Sequence, residues 1–238
     1  TGALTGGGVA VEDKGEYWRF IGIVTNNSNG NTSLSVSIYP AAGVYAGADS
    51  VTATGSNVIF GAQLEAGAFV TSYIPTTSAS ATRAVDIAAM TGTNFSSWFN
   101  TTQGSFFYIA YVPYLIPLTY PRIFSCSNAA YSSYFYSYVN GSGTMRVGTD
   151  AGEQSGVVAV TSLQRVKVAC TYSSTGIKIC VNGNTVYSAA YTSTYSLLDK
   201  LTIGQSTLFG SNSLSNSITK ITYYPTVLTD SQMQALTT

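Results

Sequence analysis

The chain has 238 residues, only 8% of them charged, and its ten basic residues balance ten acidic ones to a net charge of zero. A neutral chain has no field to steer nucleic acid or an anionic membrane surface towards it, so neither is expected as a partner. It contains no histidine, which removes Ser-His-Asp and Cys-His nucleophiles, His-containing zinc sites and His-held haem; no cofactor is expected. With 45% hydrophobic residues, 18 of its residues being tyrosine, it can bury enough surface to offset the entropy of ordering.

The opening Thr1-Gly2-Ala3 shows neither Met nor a charged segment before an apolar one, so no signal peptide is expected and the chain reads as a processed product or a fragment. Thr5-Gly6-Gly7-Gly8 lacks a following Lys-Ser/Thr and fails as a phosphate loop. Glu12-Asp13-Lys14-Gly15-Glu16 approaches the Glu-x-Asp-x-x-Glu spacing of glycan hydrolases but lacks one spacer, and a solvated turn is the ordinary expectation. Alternation with period two marks strands at residues 17–25, 33–39 and 57–65, separated by turn-rich runs such as Asn26-Asn27-Ser28-Asn29-Gly30-Asn31. Too few strands are visible to close a sandwich, so this part is expected to be completed upstream or by another chain. A domain boundary is placed after the small-residue run 75–81, giving domains 1–81 and 82–238. Beside it, Glu65, Arg83 and Asp86 are candidates for a junction lock in which Arg83 grips a carboxylate; plain surface exposure is the equal alternative.

Beyond the boundary, strands are expected at residues 104–112, 122–125, 132–139, 143–147, 164–172, 176–181, 201–203 and 218–223, a spacing that suits a sandwich. The apolar run 106–121 contains Pro113 and Pro117 and is shorter than the roughly 18 to 20 residues of a bilayer span, so no membrane insertion is expected. In 164–172, Val166, Val168, Cys170 and Tyr172 share one face and Arg165, Lys167 and Thr171 the other, a half-buried strand. Asn182-Gly183 then signals a hairpin turn, because both residues tolerate positive φ. Near the end, Thr229 and Gln232 have the spacing of a capping box, with Met233 and Leu236 on one face, which predicts one short helix. Cys126, Cys170 and Cys180 are an odd number without Cys-x-x-Cys spacing; buried free thiols are expected, with a Cys170–Cys180 cross-strand disulfide the alternative.

The most informative local run is Tyr131-Ser132-Ser133-Tyr134-Phe135-Tyr136-Ser137-Tyr138-Val139-Asn140. In a strand, Tyr134, Tyr136 and Tyr138 share one face and Phe135 and Val139 the other. With the latter pair inward, the tyrosines form a stripe whose hydroxyls are available for a pyranose or another subunit; subunit packing, a glycan platform and plain core remain open readings. Tyr134, Tyr136, Tyr138 and Asn140 are therefore the ligand or interface candidates, and Tyr187, Tyr191 and Tyr195 are candidates to extend the surface. Asp150 and Glu153 beside Gly148 and Gly152 offer oxygens for calcium, but two carboxylates fall short of the six to eight oxygens it takes; no metal site is assigned.

The segments Gly104-Ser105-Phe106-Phe107, Arg165-Val166-Lys167-Val168, Ile177-Lys178-Ile179-Cys180-Val181-Asn182-Gly183, Leu201-Thr202-Ile203-Gly204 and Ile221-Thr222-Tyr223-Tyr224-Pro225 resemble the concanavalin A-like (laminin G-like) jelly-roll family. The junction Gly61-Ala62-Gln63-Leu64-Glu65-Ala66-Gly67-Ala68-Phe69-Val70-Thr71-Ser72-Tyr73-Ile74-Pro75-Thr76, followed by Thr82-Arg83-Ala84-Val85-Asp86, looks like the segment joining a carbohydrate-binding-like sandwich to a laminin G-like domain in bacteriophage tail fibres, spikes and head fibres. The resemblance implies an all-β protein: a partial carbohydrate-binding-like β-sandwich, a laminin G-like jelly roll and a short C-terminal helix. It implies a protein on the virion surface, assembled in the bacterial cytoplasm, with other virion proteins and host-surface glycan as partners; the missing histidine, the unpaired cysteines and the scattered carboxylates lead to the expectation that it is not an enzyme. Self-association, a trimer foremost, is expected from the incomplete first sandwich and the absence of net charge. The alternatives are a secreted bacterial lectin or adhesin module and, more remotely, a glycan-cleaving enzyme.

Overall fold

The computed structural model describes residues 5–25, 30, 56–66, 70–82, 88–112, 120–160, 164–204, 214 and 217–238. The chain divides into two compact units, Thr1–Thr82 and Arg83–Thr238. The class is all-β, as expected.

In the first unit, β1 (Thr5–Asp13) and β2 (Trp18–Thr25) form an antiparallel hairpin. Its turn uses Gly15 at φ 82°, and the Asp13 carboxylate accepts from the Gly15 amide at 2.8 Å. Residues 12 and 13 thus end a strand instead of forming a solvated turn: Glu12 is buried, with Lys14 at 2.9 Å and Arg19 at 3.9 Å. The missed β1 is Gly-rich, and glycines carry no side-chain alternation to read. The second face of β2 presents Trp18, Phe20 and Val24, with Val11 opposite Phe20, all exposed. Residues 57–65 are described but form no strand; the strand expected at 33–39, together with Arg83 and Asp86, lies outside the described residues.

The second unit is a two-sheet sandwich. Its strands are β3 (Ala88–Thr91), β4 (Gly104–Tyr111), β5 (Arg122–Ser127), β6 (Tyr134–Val139), β7 (Thr144–Thr149), β8 (Gly152–Ala159), β9 (Arg165–Ser173), β10 (Gly176–Val181), β11 (Tyr187–Ala189), β12 (Lys200–Ile203) and β13 (Ile218–Tyr224). One sheet has the order β11-β10-β9-β4-β13 and the other β3-β12-β5-β6-β7-β8, with neighbours antiparallel throughout. The alternation dictates what meets between them: Phe106, Tyr108, Val166, Val168, Cys170 and Tyr172 from the first sheet face Phe124, Cys126, Phe135, Val139, Met145 and Val147 from the second. Burying side chains of this size contributes roughly 1.5–3 kcal/mol each. Two of the buried tyrosine hydroxyls are paired. The Tyr108 hydroxyl meets Ser137 Oγ at 2.7 Å, joining the sheets, and Tyr172 donates to the Asn100 carbonyl at 2.6 Å.

The meander β9-β10-β11 turns at Asn182 (φ 48°) and Gly183 (φ 71°), as the Asn-Gly pair predicts. Strand β9 is not half-buried, however. Ala169 and Cys180, on the far face, pack with Leu228 and Met233 of the C-terminal segment, and Thr171 is buried too. The covering element is α2 (Asp230–Thr237), preceded by a short α1 (Thr93–Ser96) at the start of the unit. The capping box is present: Thr229 Oγ1 accepts from the Gln232 amide at 3.2 Å, and Gln232 accepts from the Thr229 amide at 2.9 Å. Replacing Thr229 by Ala is expected to cost about 1 kcal/mol, read as a lower urea midpoint with unchanged slope. All three cysteines are free and buried. Because Cys170 lies opposite Ile179 while Cys180 lies opposite Ala169, the two thiols point to opposite faces of the sheet and cannot bridge.

Candidate functional site

Strand β6 alternates as its sequence dictates. Phe135 and Val139 are in the core and Tyr134, Tyr136 and Tyr138 lie on the outer face of the six-stranded sheet. The ladder then places Ser127, Ser125 and Arg122 of β5 beside Tyr134, Tyr136 and Tyr138 in turn. Gly148 and Arg146 of β7 lie beside Tyr136 and Tyr138 on the other flank, and Glu153 and Ser155 of β8 follow beyond them.

The stripe is not the open platform the sequence allowed. Tyr136 and Tyr138 are each only 4% exposed, as is Arg122. The Arg122 guanidinium lies over both rings, 4.0 Å from the Tyr136 centroid and 4.3 Å from that of Tyr138, where the ring quadrupoles offset part of the cost of burying its charge. Both hydroxyls donate to one carboxylate: Tyr136 to Glu153 Oε1 and Tyr138 to Glu153 Oε2 at 2.8 Å, with Arg146 Nη1 reaching the same oxygen at 3.3 Å. Burial first, then the bond to Glu153 and its charge, push both phenols far above the ordinary tyrosine range, so they act as protonated donors. Burial also lowers the Arg122 pKa, against the opposing pull of Tyr136, Tyr138 and Glu153; a guanidinium nonetheless stays cationic.

Gly148 permits this network. It sits between Tyr136 and Glu153 in the ladder, and a Cβ there would fall 2.8 Å from the tyrosine Cζ and hydroxyl and 2.9 Å from Glu153 Cγ. Only a residue without a side chain lets the carboxylate on β8 reach across β7 to the phenol on β6.

Around this packed floor stands a reachable rim. Tyr134 is half-buried, its ring 5.4 Å from that of Tyr136, and its amide donates to Asp150 Oδ1 at 3.3 Å. Tyr120, 41% exposed, meets the Tyr138 ring edge-on at 5.9 Å, and the Arg146 side chain is 33% exposed. At the Tyr134 end, Lys200 lies over Tyr131 at 4.0 Å. Tyr131 holds φ 54°, an uncommon value for a bulky residue.

Of the other sequence candidates, Asn140 shapes the β6–β7 turn, its Oδ1 accepting from the Thr144 amide at 2.7 Å and the Ser142 hydroxyl at 2.9 Å. Tyr195 is core, its ring 4.7 Å from Tyr172, and does not extend the face. Tyr187 is half-buried against the core, while Tyr191 is exposed, its ring lying where a Cβ on Gly152 would sit. Glu65 accepts from the Thr71 amide at 2.8 Å and its hydroxyl at 2.7 Å. Desolvation alone would raise its pKa, but these bonds, Gln63 and Arg19 outweigh it and hold the carboxyl below its usual value. Glu153 points into the tyrosine network instead of sharing a cation with Asp150, and among the described residues no three acidic or Cys side chains are placed to hold a metal ion. Sequence reasoning missed Arg122, Arg146 and Gly148 as members of this face; period-two alternation continued into β7 would have placed Arg146 and Gly148, whereas Arg122 has the parity of core Phe124 and Cys126 and reaches the outer face only through the register shift between Arg122 and Phe124.

Residues 112–234, just over half of the chain, match a laminin G model of the concanavalin A-like lectin/glucanases superfamily. The chain belongs to this superfamily. Among solved structures, the CBM40 of the Ruminococcus gnavus IT-sialidase, bound to α2,6-sialyllactose and to α2,3-sialyllactose, superposes with a TM-score of 0.51 at 15% identity, covering 61% of this chain and 88% of that one. Domains LG4-5 of the mouse laminin α1 chain give a TM-score of 0.47 at 12% identity, over 61% of this chain and 40% of that one. No curated protein gives a significant match. The laminin G-like sandwich is thereby established as the fold of the second unit.

Proposed function

We propose that this laminin G-like protein is a non-catalytic attachment or decoration protein of a phage virion, a fibre, spike or head fibre, that binds host-surface glycan through the outer face of its six-stranded sheet. The observation that carries the glycan reading is the rim over the packed floor: Tyr120 and Tyr134 offer ring faces and Arg146 offers donors, all set by ring contacts and by hydrogen bonds to Glu153. Preorganised aromatic and polar groups bind at a lower ordering cost. That a CBM40 of like fold is bound to sialyllactose supports glycan as the ligand class. The network contains one carboxylate, Glu153, whereas most glycoside hydrolysis uses a pair, which supports binding without cleavage.

The virion assignment rests on the resemblance of the junction around 61–76 to phage fibre and spike proteins. Assembly with other virion proteins and into a homo-oligomer, a trimer foremost, is favoured by the exposed apolar residues Val11, Trp18, Phe20 and Val24 that share one face of the hairpin in the first unit. The test is binding of purified full-length protein to host-envelope polysaccharides. Replacing Tyr134 by Ala is expected to weaken binding by about 1–3 kcal/mol while the fold survives, and polysaccharide chain length is expected to stay unchanged on gel filtration. Depolymerisation lost on Glu153→Gln would establish an enzyme instead, and glycan binding by a chain absent from purified particles would establish a secreted lectin.

A further inference from the structure

Charge is divided unequally between the two units of a chain that is neutral as a whole. The first unit holds two basic and five acidic residues, the second eight basic and five acidic. In the second unit the strand register shows where the basic excess lies. On the outer face of the five-stranded sheet, Lys220 of β13 and Lys167 of β9 flank Ile109 of β4, and Arg165 of β9 follows beside Tyr111. Two strand spacings put the lysines about 10 Å apart, and Arg165 stands about 7 Å along β9 from Lys167. Arg165 and Lys220 are exposed and Lys167 is half-buried. Among the described residues none of the three forms an ion pair: Lys167 Nζ donates to the Thr238 carbonyl at 2.6 Å, and Lys220 lies 5.8 Å from the Phe107 ring centroid. The acidic residues described in this unit are engaged elsewhere. Asp230 holds Lys178 at 2.6 Å, Glu153 takes Tyr136, Tyr138 and Arg146, and Asp150 and Asp199 accept from the Tyr134 and Ala129 amides.

The first unit presents the counterpart. The turn of its hairpin carries Asp13 and Glu16, both exposed and neither in an ion pair, whereas Glu12 is held by Lys14 and Arg19. Trp18, directly opposite Asp13 in the ladder, is 61% exposed, and Phe20 on the same face 75%. These two side chains alone offer on the order of 250 Å² of open surface, about a third of what one partner buries in a standard interface. Acidic tip and basic face are complementary in charge, and both carry apolar groups beside the charges. We infer that copies of this chain associate head to tail: the hairpin turn of one copy sits on the outer face of the next copy's five-stranded sheet, Asp13 and Glu16 meeting Lys167, Lys220 and Arg165, and Trp18 and Phe20 lying against Ile109 and Tyr111. The inference rests on the reading of the chain as a homo-oligomer and adds which surfaces meet. Pairing two like surfaces would set acid against acid or base against base. Because the surfaces differ the contact is heterologous, the kind that closes into a ring when the rotation permits, which accommodates a trimer. The charges fix partner and register, and the apolar groups supply the buried area.

The experiment is sedimentation velocity of the full-length protein across a concentration series, at low and at high salt. The parent is expected to associate, with a dissociation constant about tenfold or more higher at high salt. Two variants reverse one surface each: Arg165→Glu with Lys220→Glu, and Asp13→Asn with Glu16→Lys, where the asparagine oxygen still accepts from the Gly15 amide. Both should sediment as monomers while circular dichroism and Tm stay near the parent's. The chain carrying all four substitutions restores opposite charges across the contact and should associate again with the parent's stoichiometry. An oligomer indifferent to salt and to both variants overturns the inference and leaves the homo-oligomer reading standing. Variants that dissociate singly without rescue in the fourfold chain also overturn it, because the two surfaces then do not meet each other. A parent that stays monomeric at every salt concentration overturns both readings, and dextran sulfate bound by such a monomer through Arg165 and Lys220 would assign the basic face to an anionic polymer instead.

Discussion

Replacing Tyr136 by Ala is expected to lower the stability of the second unit by about 2–4 kcal/mol, more than an exposed sheet-face aromatic would cost. The ring is 4% exposed and lies under the Arg122 guanidinium at 4.0 Å. Its loss takes away one of the two aromatic surfaces that compensate a buried charge and opens a gap between Tyr134 and Tyr138, whose rings stand 5.4 and 5.7 Å from its own. The substitution also strips the phenol from Glu153 Oε1. Tyr136→Phe keeps the ring and loses only the bond to a carboxylate, so about 1.5–2 kcal/mol is expected for it. Tyr134→Ala, at the half-buried rim, should cost less in stability than Tyr136→Ala and more in binding. Urea unfolding of the three variants orders them; a Tyr136→Ala protein as stable as the parent would mean that the tyrosines form an open surface and the floor is not packed.

The inner side of the sandwich was legible in the sequence because its signal is local. Period-two alternation put Phe135 and Val139 on the face opposite the tyrosines, and Val166, Val168, Cys170 and Tyr172 on one face, and both sets lie in the core; Asn182-Gly183 and the Thr229–Gln232 box are short-range backbone chemistry that tertiary contacts did not override. The face of the three tyrosines was legible for the same reason; their burial was not. That depends on Arg122 arriving from β5 and Glu153 from β8, residues 14 and 17 positions from Tyr136 that meet only through strand order. Strand β8, with its polar Gly152-Glu153-Gln154-Ser155 start, reads as a loop in isolation. Its pairing with β7 and the vacancy over Gly148 make it a strand and make Glu153 the hub of the face. Tyr195 went wrong in the opposite direction: in a turn-rich run nothing local indicates that its ring packs on Tyr172.

Gly176→Ala is expected to have the largest effect of any small substitution, about 3 kcal/mol or more. Gly176 begins β10 directly after the tight turn Ser173–Gly176, at φ 135°, a region that residues with a Cβ rarely adopt. Forcing such a backbone costs of order 1–3 kcal/mol by itself. Space adds to it: the new methyl would fall on the carbonyl oxygen of Ala189 and 3.0 Å from Ala190 Cα, both backbone, so no side chain can swing aside. Two responses are open to the chain. Either β10 shifts, disturbing Ile177 and Ile179 in the core, or β11 leaves the edge and releases its pairs Ile177–Ala189 and Ile179–Tyr187. The second disturbs less of the core, and it would also move Tyr191, which follows β11 and seats its ring against Gly152 at the start of β8. The expected result is therefore a loss of about 3 kcal/mol in urea unfolding together with faster amide exchange at 187–189 and 152–155. Gly183→Ala serves as the control: it is also at positive φ, but its Cβ would meet chiefly the Thr238 hydroxyl at 2.8 Å, an exposed side chain able to rotate away. It should cost only about 1 kcal/mol, the ordinary penalty for Ala in a left-handed turn. Equal losses for the two variants would show that backbone conformation alone decides, and that the approach of β11 to Gly176 contributes nothing.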